Sequence, residues 1–238
     1  MNYKKLYDEI YEKPYHLNWL GKYKGYEEQV RLATSLVSGR KILDIGCGEG
    51  IITSKLNGNE VIGIDISKNA IKYAKQHFEN ERVKFAVASA LQLPFADNSF
   101  DCVCAFEVIE HLTPEDMHKC LKEIRRVCKT EGRVIISTPN LSSIYHALFH
   151  SIRINSKEHI NVMDFLHVIN IISKYFTILK VYSHTETPWL RWAWLTRFVS
   201  AVEKKLFLTF PPIERLFYHQ VYVVTINKVM NERGNNHE

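Results

Sequence analysis

The sequence predicts a doubly wound α/β domain with a mostly parallel, seven-stranded Rossmann-like sheet. Three observations predict this fold. Short runs rich in Ile and Val alternate with amphipathic helical patterns from residue 41 onward, the pattern of a parallel sheet covered on both faces. The first run, Lys41–Ile45, leads into a glycine-rich turn, and the second run closes at Asp65. At 238 residues, the chain is long enough for one well-buried core and short for two domains.

The first 39 residues predict an N-terminal helical segment. Tyrosines recur every four residues at Tyr3, Tyr7, Tyr11 and Tyr15, which places them on one face of a helix. We expect this stripe to serve packing rather than substrate stacking. A second helical pattern, over 26–37, ends at a Ser-Gly pair that is typical of a helix C-terminus.

The remaining elements follow in order within one predicted domain, 1–238. It divides into N-terminal helices (1–39), a cofactor-binding core (40–140) and an acceptor-side and cap region (141–230). The predicted strands cover 41–45, 60–64, 83–87, 100–106, 133–137, 176–183 and 220–226. The predicted helices cover 51–56, 67–78, 114–128 and 164–174, and a helical insertion covers 185–218 before the last strand.

Charge and cysteine content limit the functional class. The net charge is +5, but residues up to 150 hold 20 basic and 19 acidic side chains, so the basic excess belongs to the C-terminal third. A near-neutral core without a recognisable RNA-binding module disfavours a nucleic-acid partner. The five cysteines are an odd number and follow no apolar signal sequence, which favours a reducing, cytoplasmic location.

The glycine-rich turn, Asp44-Ile-Gly46-Cys-Gly48-Glu-Gly50, predicts a nucleoside site between a strand and a helix. Asp65, about 20 residues later, can accept both hydroxyls of a ribose. A dinucleotide site would use a third glycine where the chain has Ile51, and its pyrophosphate would meet Glu49. A cationic sulfonium cofactor without phosphates suits these carboxylates better.

Four runs, ILDIGCGEG, VIGIDIS, LPFADNSFDCV and EVIEHL, resemble the class I S-adenosylmethionine-dependent methyltransferases over about residues 40–140. The pattern is closest to the ubiquinone-biosynthesis O-methyltransferases. The resemblance implies S-adenosyl-L-methionine as the cofactor and methyl transfer as the reaction. The family often has an acidic residue near the adenine where this chain has Ser89. The candidate cofactor-binding residues are Asp44, Gly46, Cys47, Gly48, Asp65, Ile66, Ser89, Ala90, Leu91 and Phe106.

The run Glu107-Val-Ile-Glu110-His111 gives the candidate catalytic residues, Glu107, Glu110 and His111. If a helical turn begins at Glu107, these three side chains share one face. They could then hold Mg²⁺ together with His159, as the resemblance to ubiquinone-biosynthesis and small-RNA 2′-O-methyltransferases implies. The alternatives are that His111 serves as a base or substrate contact, or that the turn is structural.

The segment 189–208 carries three of the four tryptophans on an apolar helical face opposite basic residues. It could pack on its own domain, contact a membrane surface peripherally, or form a dimer interface.

Taken together, these patterns lead us to expect methyl transfer to a hydroxyl of a small-molecule or lipid-like acceptor. The alternatives are an RNA 2′-O-methyltransferase with a Glu/Glu/His metal site and a non-catalytic cofactor-binding domain.

Overall fold

The strands and helices of the computed structural model follow the predicted order. It describes residues 2–12, 24–140, 160–184 and 220–227. The strands are β1 Lys41–Ile45, β2 Glu60–Asp65, β3 Val83–Val87, β4 Phe100–Phe106, β5 Cys128–Pro139, β6 Phe176–His184 and β7 Gln220–Asn227. The helices are α1 Tyr3–Ile10, α2 Lys24–Leu36, α3 Ile51–Lys55, α4 Lys68–Phe78, α5 Pro114–Val127 and α6 Phe165–Ser173.

The seven strands form one sheet in the order β3-β2-β1-β4-β5-β7-β6, which confirms the predicted fold class. Strands β1 to β5 are parallel, and β7 runs antiparallel between β5 and β6. The chain moves outward from β1 in one direction through β2 and β3, and in the other direction from β4. A crevice at the carboxyl ends of β1 and β4 is therefore where a ligand site is expected in this architecture.

Side chains of the central strands alternate between the two faces of the sheet and give each face its own core. Leu43 and Ile45 pack in the cluster that includes α5 and α6, whereas Ile42 packs in the cluster that includes the end of α2. Both faces are apolar because helices cover both. The apolar core thus fixes the strand register that brings Asp44 and Asp65 to the carboxyl edge.

Strand β5 begins at Cys128, five residues earlier than the predicted start at residue 133. Cys128 pairs with Phe100, and the register then shifts before Arg133 pairs with Cys102. The intervening polar residues form a bulge in which Glu131 has a φ of 61°. The sequence pattern missed this part of the strand because polar residues at a bulge do not alternate with apolar ones.

Candidate active site

The turn after β1 has a backbone that requires glycine. Gly46 has a φ of 69° and Gly50 a φ of 82°, both in the left-handed region. A Cβ on Gly46 would lie 2.5 Å from Cγ2 of Val108, which belongs to the turn after β4. A Cβ on Gly50 would lie 2.8 Å from the Phe85 ring. The predicted glycine-rich turn is therefore in place, and it packs directly against the neighbouring turn.

Three carboxylates are buried around this turn. Asp44 and Glu49 are each 2% exposed and Asp65 is 8% exposed. The Asp44 carboxylate accepts hydrogen bonds from Thr53 Oγ1 at 2.6 Å and from Cys104 Sγ at 3.6 Å. The structure therefore concentrates negative charge at the ends of β1 and β2.

Asp65 is fixed by the backbone. Its Oδ2 accepts from the Gly48 amide at 2.9 Å, and its Oδ1 accepts from the Ser67 amide at 2.8 Å. Each carboxylate oxygen retains a second lone pair, so both can still accept from a ribose hydroxyl. Ile66, the predicted adenine contact, is half-buried beside it. This arrangement suits the predicted role of Asp65.

Burial controls the protonation of these groups. It raises the pKa of Asp44 to about 7, against the opposing effect of the hydrogen bonds from Thr53 and Cys104. Burial also raises the pKa of Asp65, and amide hydrogen bonds from Ser67 and Gly48 partly oppose it. In the described residues the donors to both carboxylates are neutral hydroxyl, thiol and amide groups. A bound cation would supply the missing counter-charge, and the sulfonium and ammonium groups of S-adenosylmethionine fit this donor set.

The predicted adenine-side residues Ser89, Ala90 and Leu91 form a tight turn after β3. The Ser89 hydroxyl accepts from the Leu91 amide at 3.2 Å and keeps a proton to donate. The loop that follows is held from α5, because Arg126 donates to the carbonyls of Leu93 at 2.9 Å and Phe95 at 2.7 Å. The LPFADNSF run, which contains Leu93 and Phe95, thus links the turn at Ser89 to α5.

On the acceptor side, Glu107 ends β4 in a left-handed conformation with a φ of 56°. Its amide donates to the Ser137 carbonyl at 3.1 Å, and its Oε1 accepts from the Ser137 hydroxyl at 2.7 Å. These contacts tie the end of β4 to β5 and fix the carboxylate. Phe106, a predicted cofactor contact, is 8% exposed and packs near Tyr222, with ring centroids 6.2 Å apart.

Glu110 is fully buried next to Glu107. Its Oε2 accepts from Thr138 Oγ1 at 3.3 Å, while its Oε1 has no hydrogen-bond partner within the described residues. Nε2 of His111 lies 3.9 Å from that Oε1. Burial raises the pKa of Glu110 well above its usual value, and the adjacent Glu107 carboxyl raises it further. Both effects favour the protonated form of Glu110 beside the charged Glu107 carboxylate.

The sequence of this chain is similar to known methyltransferases over its central part. Residues 43–136 match the family model described as a methyltransferase domain. Methyltransferase GfsG of Streptomyces halstedii is 34% identical over 117 residues, 46% of this chain and 41% of the relative. A ubiquinone biosynthesis O-methyltransferase of Alkalilimnicola ehrlichii is 36% identical over 109 residues, 44% of this chain and 43% of the relative. The chain thus spans about half the length or less of these two curated relatives.

A solved structure agrees over nearly the whole chain. The N-methyltransferase NodS of Bradyrhizobium japonicum, in complex with S-adenosyl-L-homocysteine, has a TM-score of 0.65 at 16% identity. The alignment covers 95% of this chain and 99% of that one. Residues 43–136 thus match a methyltransferase domain, and the fold of the chain is that of a solved N-methyltransferase.

The condition under which Glu107, Glu110 and His111 would share one helical face is not met. No helical turn begins at Glu107, because its left-handed backbone directs the chain away from a helix, and a 3₁₀ turn covers only Ile109–His111. Glu107 and Glu110 instead turn to Ser137 and Thr138. Across residues 2–12, 24–140, 160–184 and 220–227, no group of three His, Cys, Asp or Glu side chains is arranged to hold a metal ion. The Mg²⁺ prediction is therefore unsupported, and His159 lies outside the described residues.

The tyrosine stripe of α1 lies against the active site of the methyltransferase domain. The ring of Tyr7 meets the His111 ring edge-on, with centroids 5.7 Å apart and planes at 90°. Burial raises the pKa of Tyr11 well above its usual value, and the nearby charges of Asp65 and Glu49 raise it further. The four-residue spacing predicted the helix. The approach of Tyr7 to His111 and of Tyr11 to the charge of Asp65 joins residues far apart in the sequence, so it gave no local signal.

Two other predictions depend on what the structure describes. Among the described ranges, no helical segment combines the length and apolar character that a bilayer crossing requires. The insertion 185–218 and the tryptophan-rich segment 189–208 lie outside the described residues, as does Tyr15. Their predicted roles stay predictions.

Proposed function

We propose that this chain is an S-adenosylmethionine-dependent methyltransferase that methylates a hydroxyl of a small or lipid-like acceptor. The supporting observation is the contrast between two ends of the sheet edge. Buried carboxylates with neutral donors lie at the ends of β1 and β2, whereas the buried Glu110 lies next to Glu107 and the His111 imidazole after β4. The first set suits a cationic donor. The second suits removal of a proton from an acceptor.

The cofactor site consists of the predicted residues at the carboxyl edge. Asp65 would hold the ribose hydroxyls, and the turn from Gly46 to Gly48 would lie against the methionine part, with Asp44 supporting its ammonium group. Bound S-adenosylmethionine supplies a methyl group on a positively charged sulfur, which makes that carbon electrophilic. Because an in-line displacement depends mainly on alignment, the rigid backbone of this turn contributes by positioning.

His111 is the proposed proton acceptor. Its side chain is 17% exposed, so it is accessible from the crevice while remaining close to the buried Glu110. The Glu107 carboxylate next to Glu110 supplies a negative charge that would stabilise an imidazolium at His111. The distance of 3.9 Å between His111 Nε2 and Glu110 Oε1 is longer than a hydrogen bond. A hydroxyl needs such a base because its proton is weakly acidic.

Oxygen as the methylated atom is a further part of the proposal. The ubiquinone biosynthesis relative is named an O-methyltransferase, whereas the structural neighbour NodS is named an N-methyltransferase. The proton-accepting arrangement at His111 favours oxygen, because an alcohol or phenol gains most from loss of its proton. The alternative of a metal-dependent RNA 2′-O-methyltransferase depends on the Glu/Glu/His metal set that the described residues do not form.

Methyl transfer from isotopically labelled cofactor to panels of phenols, alcohols and amines tests the proposal. We expect transfer to at least one hydroxyl class, and His111→Gln should lower kcat about 100-fold while the Kd for cofactor stays within about 2-fold. His118→Gln is the matched control, because His118 contacts the Tyr175 hydroxyl at 2.8 Å on the face covered by α5. Transfer to amines alone, or equal losses in both histidine variants, would contradict the proposal.

A further inference from the structure

Helix α1 is fastened to the first turn of α4 by Asp8. Its Oδ1 accepts from the Lys68 amide at 2.8 Å and from the Ser67 hydroxyl at 3.0 Å. Its carbonyl accepts from Asn69 Nδ2 at 2.9 Å. The first amides of a helix lack intrahelical acceptors and attract negative charge, so the Asp8 carboxylate stabilises this junction.

The other end of α1 is fastened to the start of α5 by Tyr3. Its hydroxyl donates to Asp116 Oδ2 at 3.1 Å and accepts from the Thr113 amide at 3.1 Å. Because α4 follows β2 and α5 follows the turn after β4, α1 passes across the carboxyl ends of both strands. It therefore bridges the donor side and the acceptor side of the crevice.

Two tyrosines reach the two sides separately. Tyr7, between these attachments, meets the His111 ring at the acceptor side. Tyr11, which caps the helix beyond Asp8, is half-buried near Asp65 and Glu49 at the donor side. Lys4, Lys5 and Glu9 of α1 are exposed. One short helix thus supplies side chains to both sites.

On the basis of the proposed function, we propose that Asp8 is a positioning residue that fastens α1 as a common wall of the donor and acceptor sites. Through it, Tyr7 holds the His111 ring and Tyr11 closes the cofactor side. Loosening α1 would therefore speed cofactor release and disturb His111 together. Tyr7, Asp8 and Tyr11 lie within five residues of one helix and its C-cap, so they move as a unit.

Asp8→Asn in the full chain tests this inference, with Glu9→Gln as the matched control on the exposed face of the same helix. We expect Asp8→Asn to increase the dissociation rate of S-adenosyl-L-homocysteine about 10-fold, because a wall of the site is loosened. Amide hydrogen exchange in α1 should rise while the unfolding temperature of the core stays unchanged. Glu9→Gln should leave the dissociation rate and the exchange as in the unsubstituted chain.

The His111 ring gives an independent readout. Its NMR ring-proton shifts should change in Asp8→Asn and in Tyr7→Leu, and should be retained in Tyr7→Phe, which keeps the edge-on ring. Unchanged dissociation and unchanged His111 shifts in Asp8→Asn would overturn the inference while the proposed function stands. If the unsubstituted chain binds neither S-adenosylmethionine nor its product, the proposed function fails, and unaltered exchange and His111 shifts in Asp8→Asn would show that the inference fails as well.

Discussion

At the donor end of the crevice, Asp65 is held by the amides of Ser67 and Gly48, 2 and 17 residues away in the chain, whereas at the acceptor end Glu107 is held by Ser137, 30 residues away. The donor carboxylates thus depend on a local strand–turn–helix unit. The acceptor carboxyls depend on the pairing of two strands. This difference explains why substrate identity can vary on a constant cofactor site in this architecture.

The largest expected effect tests the donor side. Asp65→Ala removes the proposed ribose contact and should weaken cofactor binding about 100-fold or more, since a charged group with two hydrogen bonds is lost. Isothermal titration calorimetry checks it. Glu60→Ala is the control, because Glu60 is an exposed carboxylate at the amino end of the same strand. Equal affinities in the two variants would remove the ribose assignment.

The second prediction tests whether the acceptor side is independent of the donor side. Glu110→Gln keeps the buried shape but removes a carboxyl that can ionise when His111 takes up a proton, so kcat should fall about 30-fold as general-base catalysis is impaired. The cofactor Kd should stay within about 2-fold because the donor carboxylates are untouched. Steady-state kinetics and calorimetry on one preparation separate the two effects. A large loss of cofactor affinity would show that the two sides are not separate.

These two sides also differ in how much the sequence predicts. The glycine turn and Asp65 could be predicted from short-range rules. The parallel strands β1 and β2 end at the same edge of the sheet, so the glycine turn after β1 lies beside the acidic residue that ends β2. Residue spacing could group Glu107 with Glu110 and His111 only if a helical turn began at Glu107, and the structure shows a left-handed residue there. The bulge at the start of β5 and the docking of Tyr7 and Tyr11 depend on long-range packing, which local patterns do not encode.

The third prediction concerns the contact between the two turns. Gly46→Ala should destabilise the fold by about 2 kcal/mol, because alanine at a φ of 69° is strained and its Cβ would meet Val108 at 2.5 Å. Chemical denaturation measures the free energy of unfolding. Adding Val108→Ala should recover part of the loss by removing the clash, with the backbone strain remaining. A double variant no more stable than Gly46→Ala would contradict the packing argument.

The smallest effect is a pH dependence of cofactor binding. With the pKa of Asp44 raised to about 7, the carboxyl is protonated below that pH and ionised above it. Affinity for the cationic cofactor should therefore rise by up to about 10-fold between pH 6 and pH 8. The same shift means that the unliganded fold loses stability as the pH rises from about 4 to about 7, because the folded state holds this proton more tightly than the unfolded state. Asp44→Asn should flatten both profiles in calorimetry and thermal unfolding.

The central claim is that the carboxyl ends of β1 and β2 form a site for a cationic nucleoside rather than for a phosphate-bearing one. Calorimetric titration of the full chain with S-adenosylmethionine and, separately, with NAD⁺ tests it most directly. The account predicts saturable binding of S-adenosylmethionine and none of NAD⁺, whose pyrophosphate would face Glu49. Binding of the dinucleotide without binding of the sulfonium compound would contradict it.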